Sequence, residues 1–144
     1  MFKHILVPVD LTNKNAQAIS AARELAQQSA GRLTVLHVIE LLDAPFEEFR
    51  DFYERLELES AEEMDRMTAP LREADVPFRQ KIVYGKRAEM VVETAERDEA
   101  DLIVLHSHKV DLDNPGSGWA TLSYKVAILA QCPILLMKEV SPKT

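Results

Sequence analysis

Four short apolar runs set the strongest constraint on this chain: Ile5-Leu-Val-Pro-Val9, Leu33-Thr-Val-Leu-His-Val-Ile39, Leu102-Ile-Val-Leu105 and Ile134-Leu-Leu-Met137. They are β-branched or leucine-rich and nearly continuous rather than alternating, which is the pattern of strands buried on both faces of a parallel sheet. A fifth candidate, Phe78-Arg-Gln-Lys-Ile-Val-Tyr84, is more polar and is expected to lie less deeply. Pro8 has no N–H and removes one ladder donor, close to the carboxyl end of the first strand where pairing stops.

Helical patterns fill the intervals. Ala18, Ile19, Ala22, Leu25 and Ala26 recur at three- and four-residue spacing between Asn15 and Gln28, with Thr12 or Asn13 expected to cap the start and Gly31 to stop the end. Segment 46–68 carries Phe46, Phe49, Tyr53, Leu56, Met64 and Met67 on one stripe, and Pro70 is expected to break it near its end. Residues 87–98 turn Ala88, Val91, Val92 and Ala95 inward, and residues 119–130 do the same with Leu122, Val126 and Leu129. The resulting β-α-β-α-β-α-β-α-β alternation makes residues 1–144 a single α/β domain with a doubly wound, five-stranded parallel sheet. Right-handed crossovers give the order 3-2-1-4-5. The switch point then falls between strands 1 and 4, so a ligand is expected beside Val9-Asp10-Leu11-Thr12 and Leu105-His106-Ser107-His108.

Charge and composition remove several function classes. The formal net charge is −7, against a general nucleic-acid binder. Residues 47–66 hold nine acidic side chains against Arg50, Arg55 and Arg66, a local balance of −6. That reads as the solvated face of an amphipathic helix, with pairs such as Asp51–Arg55. No apolar run approaches the ~20 residues that span a bilayer. Asp10 interrupts the apolar start, so no secretory leader is expected, and the single Cys132 fits a reducing, cytoplasmic setting. Only four glycines occur (Gly31, Gly85, Gly116 and Gly118), where ~7% usage would give roughly ten. A glycine-rich phosphate cradle therefore has little to draw on.

The opening His4-Ile-Leu-Val-Pro-Val-Asp10, the run Leu36-His-Val-Ile39 and the tail Cys132-Pro-Ile-Leu-Leu-Met137 together resemble the universal stress protein family. So do Tyr84-Gly85, the helix 87–98 that follows, and Ala100-Asp-Leu-Ile-Val104, so that the resemblance covers residues 2–138 in the family's order. It implies an adenine nucleotide alpha hydrolase-like fold and a homodimer formed through the last strand, at Ile134, Leu135, Leu136 and Met137. Many members resemble ATP binders through Gly-x2-Gly-x9-Gly-Ser/Thr, beginning at the end of strand 4. Here His106 stands at the first glycine, Lys109 at the second and Ala120-Thr121 at the final pair, with one extra residue in the gap. Asp10 matches the aspartate of the family's adenosine pocket, flanked by Pro8 and Val9, and Val38 matches a position whose backbone meets adenine. Leu105, Leu122 and Ser123 complete the candidate nucleotide-binding set.

Two functions stay open on these residues. In the first, His106, Lys109 and Trp119 fill the crevice, no cofactor is held, and the protein is a non-enzymatic, homodimeric stress-response module with an unidentified regulatory protein partner. In the second it is an ATP or AMP sensor, or a slow ATPase. A third, metal-dependent or hydrolytic reading joins Asp10, His106 and His108, followed by Asp111 and Asp113, but lacks the three or four placed ligands that zinc needs. Asn114-Pro-Gly-Ser-Gly118 reads as a tight turn before a helix. His4 and His37 read as sheet residues with satisfied rings, and Cys132 as structural. No nucleophile elbow, Walker or dinucleotide fingerprint is present.

Overall fold

The computed structural model describes residues 1–107, 113 and 121–138. Five strands, β1 (His4–Pro8), β2 (Arg32–Ile39), β3 (Phe78–Tyr84), β4 (Leu102–Ser107) and β5 (Ile134–Lys138), form one sheet in the order β3-β2-β1-β4-β5. All four pairings are parallel. The helices are α1 (Ala16–Ser29), α2 (Arg50–Met67), α3 (Ala69–Glu73), α4 (Arg87–Arg97) and α5 (Leu122–Leu129). The expected architecture and strand order are both present.

Strand alternation distributes the core. Ile5 and Val7 of β1, and Val9 just beyond it, join Leu33 and Val35 of β2 and Val104 of β4 against Ala18, Ile19, Ala22 and Ala26 of α1, with Met64 and Leu71 behind them. Leu6, Leu36, Val38, Ile103 and Leu105 face the other way, against Val91 and Ala95 of α4 and Val126 of α5. Both faces of the central strands are therefore dry, which is why their sequences show no polar alternation. β3 lies at one edge and is half-buried apart from exposed Arg79, as its polar composition suggested.

Polar groups close the sheet's amino end. The Asp101 carboxylate accepts the Lys3 N–H at 2.8 Å and the His4 N–H at 3.1 Å, and the Asp101 N–H donates to the His4 carbonyl at 2.9 Å. Buried His4 donates from Nδ1 to the Asp98 carbonyl at 2.9 Å, so in the neutral ring Nε2 accepts from the Thr34 hydroxyl at 2.7 Å. His37 donates from Nδ1 to the Val9 carbonyl at 2.9 Å.

Several local details differ from the sequence reading. Neither Thr12 nor Asn13 caps α1 through its side chain: a 3-10 turn (Asn13–Asn15) precedes the helix, and the Thr12 hydroxyl is spent on Asp10. Helix 46–68 is a 3-10 turn (Phe46–Phe49) followed by α2, and Phe46 and Phe49 are exposed rather than inward. Tyr53 explains that outcome: it takes the buried place, stacked on Phe46 at 5.1 Å between centroids, with its hydroxyl accepting the Leu42 N–H. Pro70 falls in the first turn of α3, so it separates α3 from α2 without losing a helical donor. The helix-face ion pairs are Glu47–Arg50 and Glu63–Arg66 rather than Asp51–Arg55. The last helix starts at Leu122, and Leu129 is exposed rather than inward.

The scarcity of glycine has a structural counterpart. Ala30, Asp75 and Glu99 adopt left-handed φ values of 50°, 54° and 56° after α1, α3 and α4. In each case the next N–H closes the helix, from Gly31 to Ala26, Val76 to Leu71 and Ala100 to Ala95. The left-handed residue after α1 is thus Ala30, not Gly31. Gly31 is needed for space instead: a Cβ there would stand 2.6 Å from the Phe2 carbonyl oxygen and 2.9 Å from that of Lys3. Adjacent substitutions should therefore act in opposite directions. Gly31→Ala is expected to destabilise the fold by about 1–3 kcal/mol through overpacking. Ala30→Gly should relieve up to about 1 kcal/mol of left-handed strain. Urea unfolding of both variants checks this; a neutral Gly31→Ala would contradict the close approach to β1.

Candidate functional site

The crevice begins where β1 and β4 part. Their register covers only Ile5↔Leu102 and Leu6↔Ile103, whereas β1 stays with β2 through Pro8↔Leu36 and β4 with β5 through Ser107↔Lys138. Beyond that fork lies a cavity of about 270 Å3. Pro8, Val9 and Asp10 from β1 and its exit form one wall, Leu36 and Val38 from β2 the next, and Leu105 and His106 from β4 the third. Thr121, Leu122 and Ser123 at the start of α5 close it with Arg87 and Val91 of α4. Every expected nucleotide-site residue among the described positions is brought together here. Lys109 falls outside the described residues, as do His108, Asp111, Gly116, Gly118 and Trp119. His106 stands on the wall, half-buried.

Asp10 is the most constrained group in the crevice. Its N–H donates to Asn15 Oδ1 at 3.0 Å, and its own Oδ1 accepts the Thr12 N–H at 3.0 Å and the Thr12 hydroxyl at 2.7 Å. This aspartate turn holds Leu11 at φ 66°, a left-handed conformation that costs a leucine about 1–2 kcal/mol. Leu11 packs against the α1-side core, which offsets part of that strain. Oδ1 is thus the anchored oxygen, and Asp10 lines the cavity. Burial pushes the carboxyl's pKa up, but the Thr12 hydroxyl and N–H, with the charges of His106 and Arg87, outweigh it and hold the pKa below the usual aspartate value. Asp10 is therefore an anion and a hydrogen-bond acceptor at neutral pH, and a poor proton donor.

The remaining polar groups lie near the two helix starts. Thr121 caps α5, its Oγ1 accepting the Tyr124 N–H at 3.4 Å. Ser123 Oγ is 3.1 Å from Ser107 Oγ, and Lys138 Nζ donates to Ser107 Oγ at 3.2 Å. Arg87 opens α4 with its N–H on Glu40 Oε1 at 3.2 Å. Sequence reasoning missed Arg87, Asn15, Leu36 and Val91 as site residues. Val91 and Leu36 carried only a core signal, while Arg87 and Asn15 reach the crevice through crossovers that no local period reveals.

Among the described residues, no group of three or more His, Cys, Asp or Glu is placed to hold a metal ion. Burial raises the Cys132 thiol pKa above its ordinary value, which disfavours a thiolate nucleophile. The arrangement suits holding a small polar molecule with an apolar portion rather than moving protons between paired groups.

The Asp10 geometry predicts its titration. Its folded pKa is depressed, so the stability it contributes is full above the unfolded pKa and fades as pH falls through the folded value. Thr12→Val removes the hydroxyl donor and should raise the Asp10 pKa while reducing the stability lost on acidification. Carboxyl-carbon NMR against pH measures this; an unchanged Asp10 titration in Thr12→Val would refute the role given to Thr12.

Comparison with known proteins places this geometry in context. The universal stress protein family model matches residues 1–138. A universal stress protein in the QAH/OAS sulfhydrylase 3′ region of Thermus aquaticus is 32% identical over 145 aligned positions, covering 96% of this chain and 100% of that protein. The solved structure of the hypothetical protein MJ0577 superposes with a TM-score of 0.82 at 24% identity, over 99% of each chain. A universal stress protein family protein from Arabidopsis thaliana, solved with AMP bound, has a TM-score of 0.72 at 18% identity, covering 96% of this chain and 93% of that one. The family model across residues 1–138, with a relative 32% identical over 96% of the chain, shows that this chain belongs to the universal stress protein family.

Proposed function

We propose that this chain is a cytoplasmic regulatory protein that works by binding an adenine nucleotide, AMP or ATP, without chemical turnover, and does so as a homodimer. The observation that carries the reading is Asp10: a carboxylate locked by Thr12 at the strand fork, on the wall of the cavity. A ribose offers two adjacent hydroxyl donors, and an anionic acceptor fixed in advance loses little freedom on meeting them. Val38, Val91 and Leu122 supply an apolar slot of the kind a purine ring needs beside it. That the Arabidopsis protein of this fold was solved with AMP bound is in keeping with an adenine nucleotide as the ligand. With the carboxylate held ionised it accepts hydrogen bonds and donates no proton, which favours binding over acid catalysis by Asp10.

Calorimetric titration with AMP and with ATP tests the reading. Wild-type protein should bind at least one of them, and Asp10→Ala should weaken binding about tenfold or more, the usual worth of a hydrogen bond to a charged group. Absence of heat at millimolar nucleotide, with the fold intact, would sink it.

The dimer rests on the last strand. β5 is a sheet edge, and Leu135 is exposed on it, with the apolar side chains of Tyr124, Ile128 and Leu129 exposed on the adjoining α5. An uncovered apolar edge pairs readily with a second copy. Ile134, Leu135, Leu136 and Met137 are the proposed interface strand. Leu135→Lys should shift the mass in light scattering from dimer towards monomer; a monomeric wild type, or an unaffected dimer in the variant, would count against this interface.

A further inference from the structure

Exposed apolar side chains gather in two places. Ile128, Leu129 and Leu135 lie at the β5 edge, on the proposed dimer surface. Leu41, Leu42, Phe46, Phe49 and Phe52 lie between the end of β2 and the first turn of α2, each between 36% and 50% exposed. α2 packs against β3, the edge strand furthest from β5, so a dimer through β5 leaves this second group uncovered. Neighbouring apolar side chains left in water at this density mark an interaction face.

The second group is held in shape from beneath. Buried Tyr53 stacks on Phe46 with ring centroids 5.1 Å apart and meets Phe52 at 5.4 Å, and Tyr84 stands edge-on at 6.1 Å. The Tyr53 hydroxyl accepts the Leu42 N–H at 2.6 Å, which ties the segment after β2 to α2. The Tyr84 hydroxyl donates to Glu57 at 2.6 Å and fixes the other side of the cluster. Phe49, Phe52 and half-buried Leu56 follow at three- and four-residue spacing along one side of the helix. Aromatic groups anchored in this way lose little freedom when a partner covers them.

Charge says what that partner is. Residues 41–54 hold Asp43, Glu47, Glu48, Asp51 and Glu54 against Arg50, a balance of −4. Glu47 is paired with Arg50, whereas Asp43, Glu48, Asp51 and Glu54 are exposed and enter no salt bridge among the described residues. A second copy would set negative charge against negative charge, and an anionic bilayer surface would do the same. We propose that Leu41, Leu42, Phe46, Phe49 and Phe52 form the docking face for a protein partner whose apolar side chains are ringed by lysine and arginine, as on a basic amphipathic helix. The apolar centre supplies affinity, and the acidic surround sets orientation and choice of partner. None of these residues lines the crevice, so docking does not require a bound nucleotide.

A fluorescently labelled synthetic leucine–lysine amphipathic helix, titrated with the protein and followed by anisotropy, tests this face. A leucine–glutamate helix of the same pattern is the control. Wild type should bind the leucine–lysine helix at least about tenfold tighter than the control, with an affinity that falls as salt rises. The double variant Phe49→Ser, Phe52→Ser should lose about tenfold, and so should Glu48→Lys, Asp51→Lys, which leaves the apolar group intact. Ile128→Ser, at the other edge, should lose less than about twofold. Equal binding of the two helices, an unchanged affinity in either double variant, or an equal loss in Ile128→Ser would overturn the proposal. So would a lower oligomer mass of Phe49→Ser, Phe52→Ser in light scattering, which would make the face a contact between copies. Binding of wild type to phosphatidylserine vesicles that this variant loses would overturn it in favour of a membrane face.

Discussion

Everything in this molecule depends on the complete burial of β1 between β2 and β4. His4–Pro8 is buried at every position, with Ile5 and Val7 facing α1 and Leu6 facing α4 and α5. A strand so enclosed cannot slip by one residue without exchanging its two cores. Its entry is fixed by the Asp101 carboxylate on the Lys3 and His4 N–H groups, and its exit by the Asp10–Thr12 turn. Between those clamps the backbone is held by sheet pairing. Beyond them the connections leave in opposite directions, and the crevice is the consequence.

That geometry explains why the candidate site lies at one end. β1 and β4 separate after Leu6↔Ile103, so Asp10 and His106 line a crevice between the two strands. The strain at Leu11 is tolerated because the Asp10–Thr12 hydrogen bonds and the packing of Leu11 on the α1 core both oppose its relaxation. One carboxylate is thereby oriented before any ligand arrives. The opposite helix, α5, brings Leu122 and Ser123 to the same crevice, with Thr121 at its cap.

Much of the fold was legible in the sequence because parallel strands buried on both faces announce themselves as continuous apolar runs. Ile5–Val9, Leu33–Ile39, Leu102–Leu105 and Ile134–Met137 all lie within or beside observed strands, and the switch point followed from handedness alone. The candidate site was legible to the extent that it lies at strand ends: Pro8, Val9, Asp10, Val38, Leu105 and His106 gather as expected. Local chemistry was harder to read. Thr12 looks like a helix cap, yet its hydroxyl serves Asp10 because the turn at Leu11 brings the two within 2.7 Å. Gly31 looks like a helix stop, yet Ala30 takes the left-handed turn and Gly31 makes room for Phe2 and Lys3. Phe46 and Phe49 share a helical period with Tyr53, but one residue fills the buried place. Arg87 reaches the crevice only through the crossover after β3, a non-local fact that no window of sequence contains.

The central claim is that a nucleotide occupies the fork between β1 and β4. An amide correlation spectrum of the isotopically labelled protein, titrated with AMP, tests it by location. The account predicts that the largest shifts fall on Asp10, Thr12, Val38, His106 and Ser123, with the amino-end residues Arg32, Phe78 and Asp98 unmoved. Shifts centred away from the fork, or none at millimolar AMP in a well-dispersed spectrum, would contradict it.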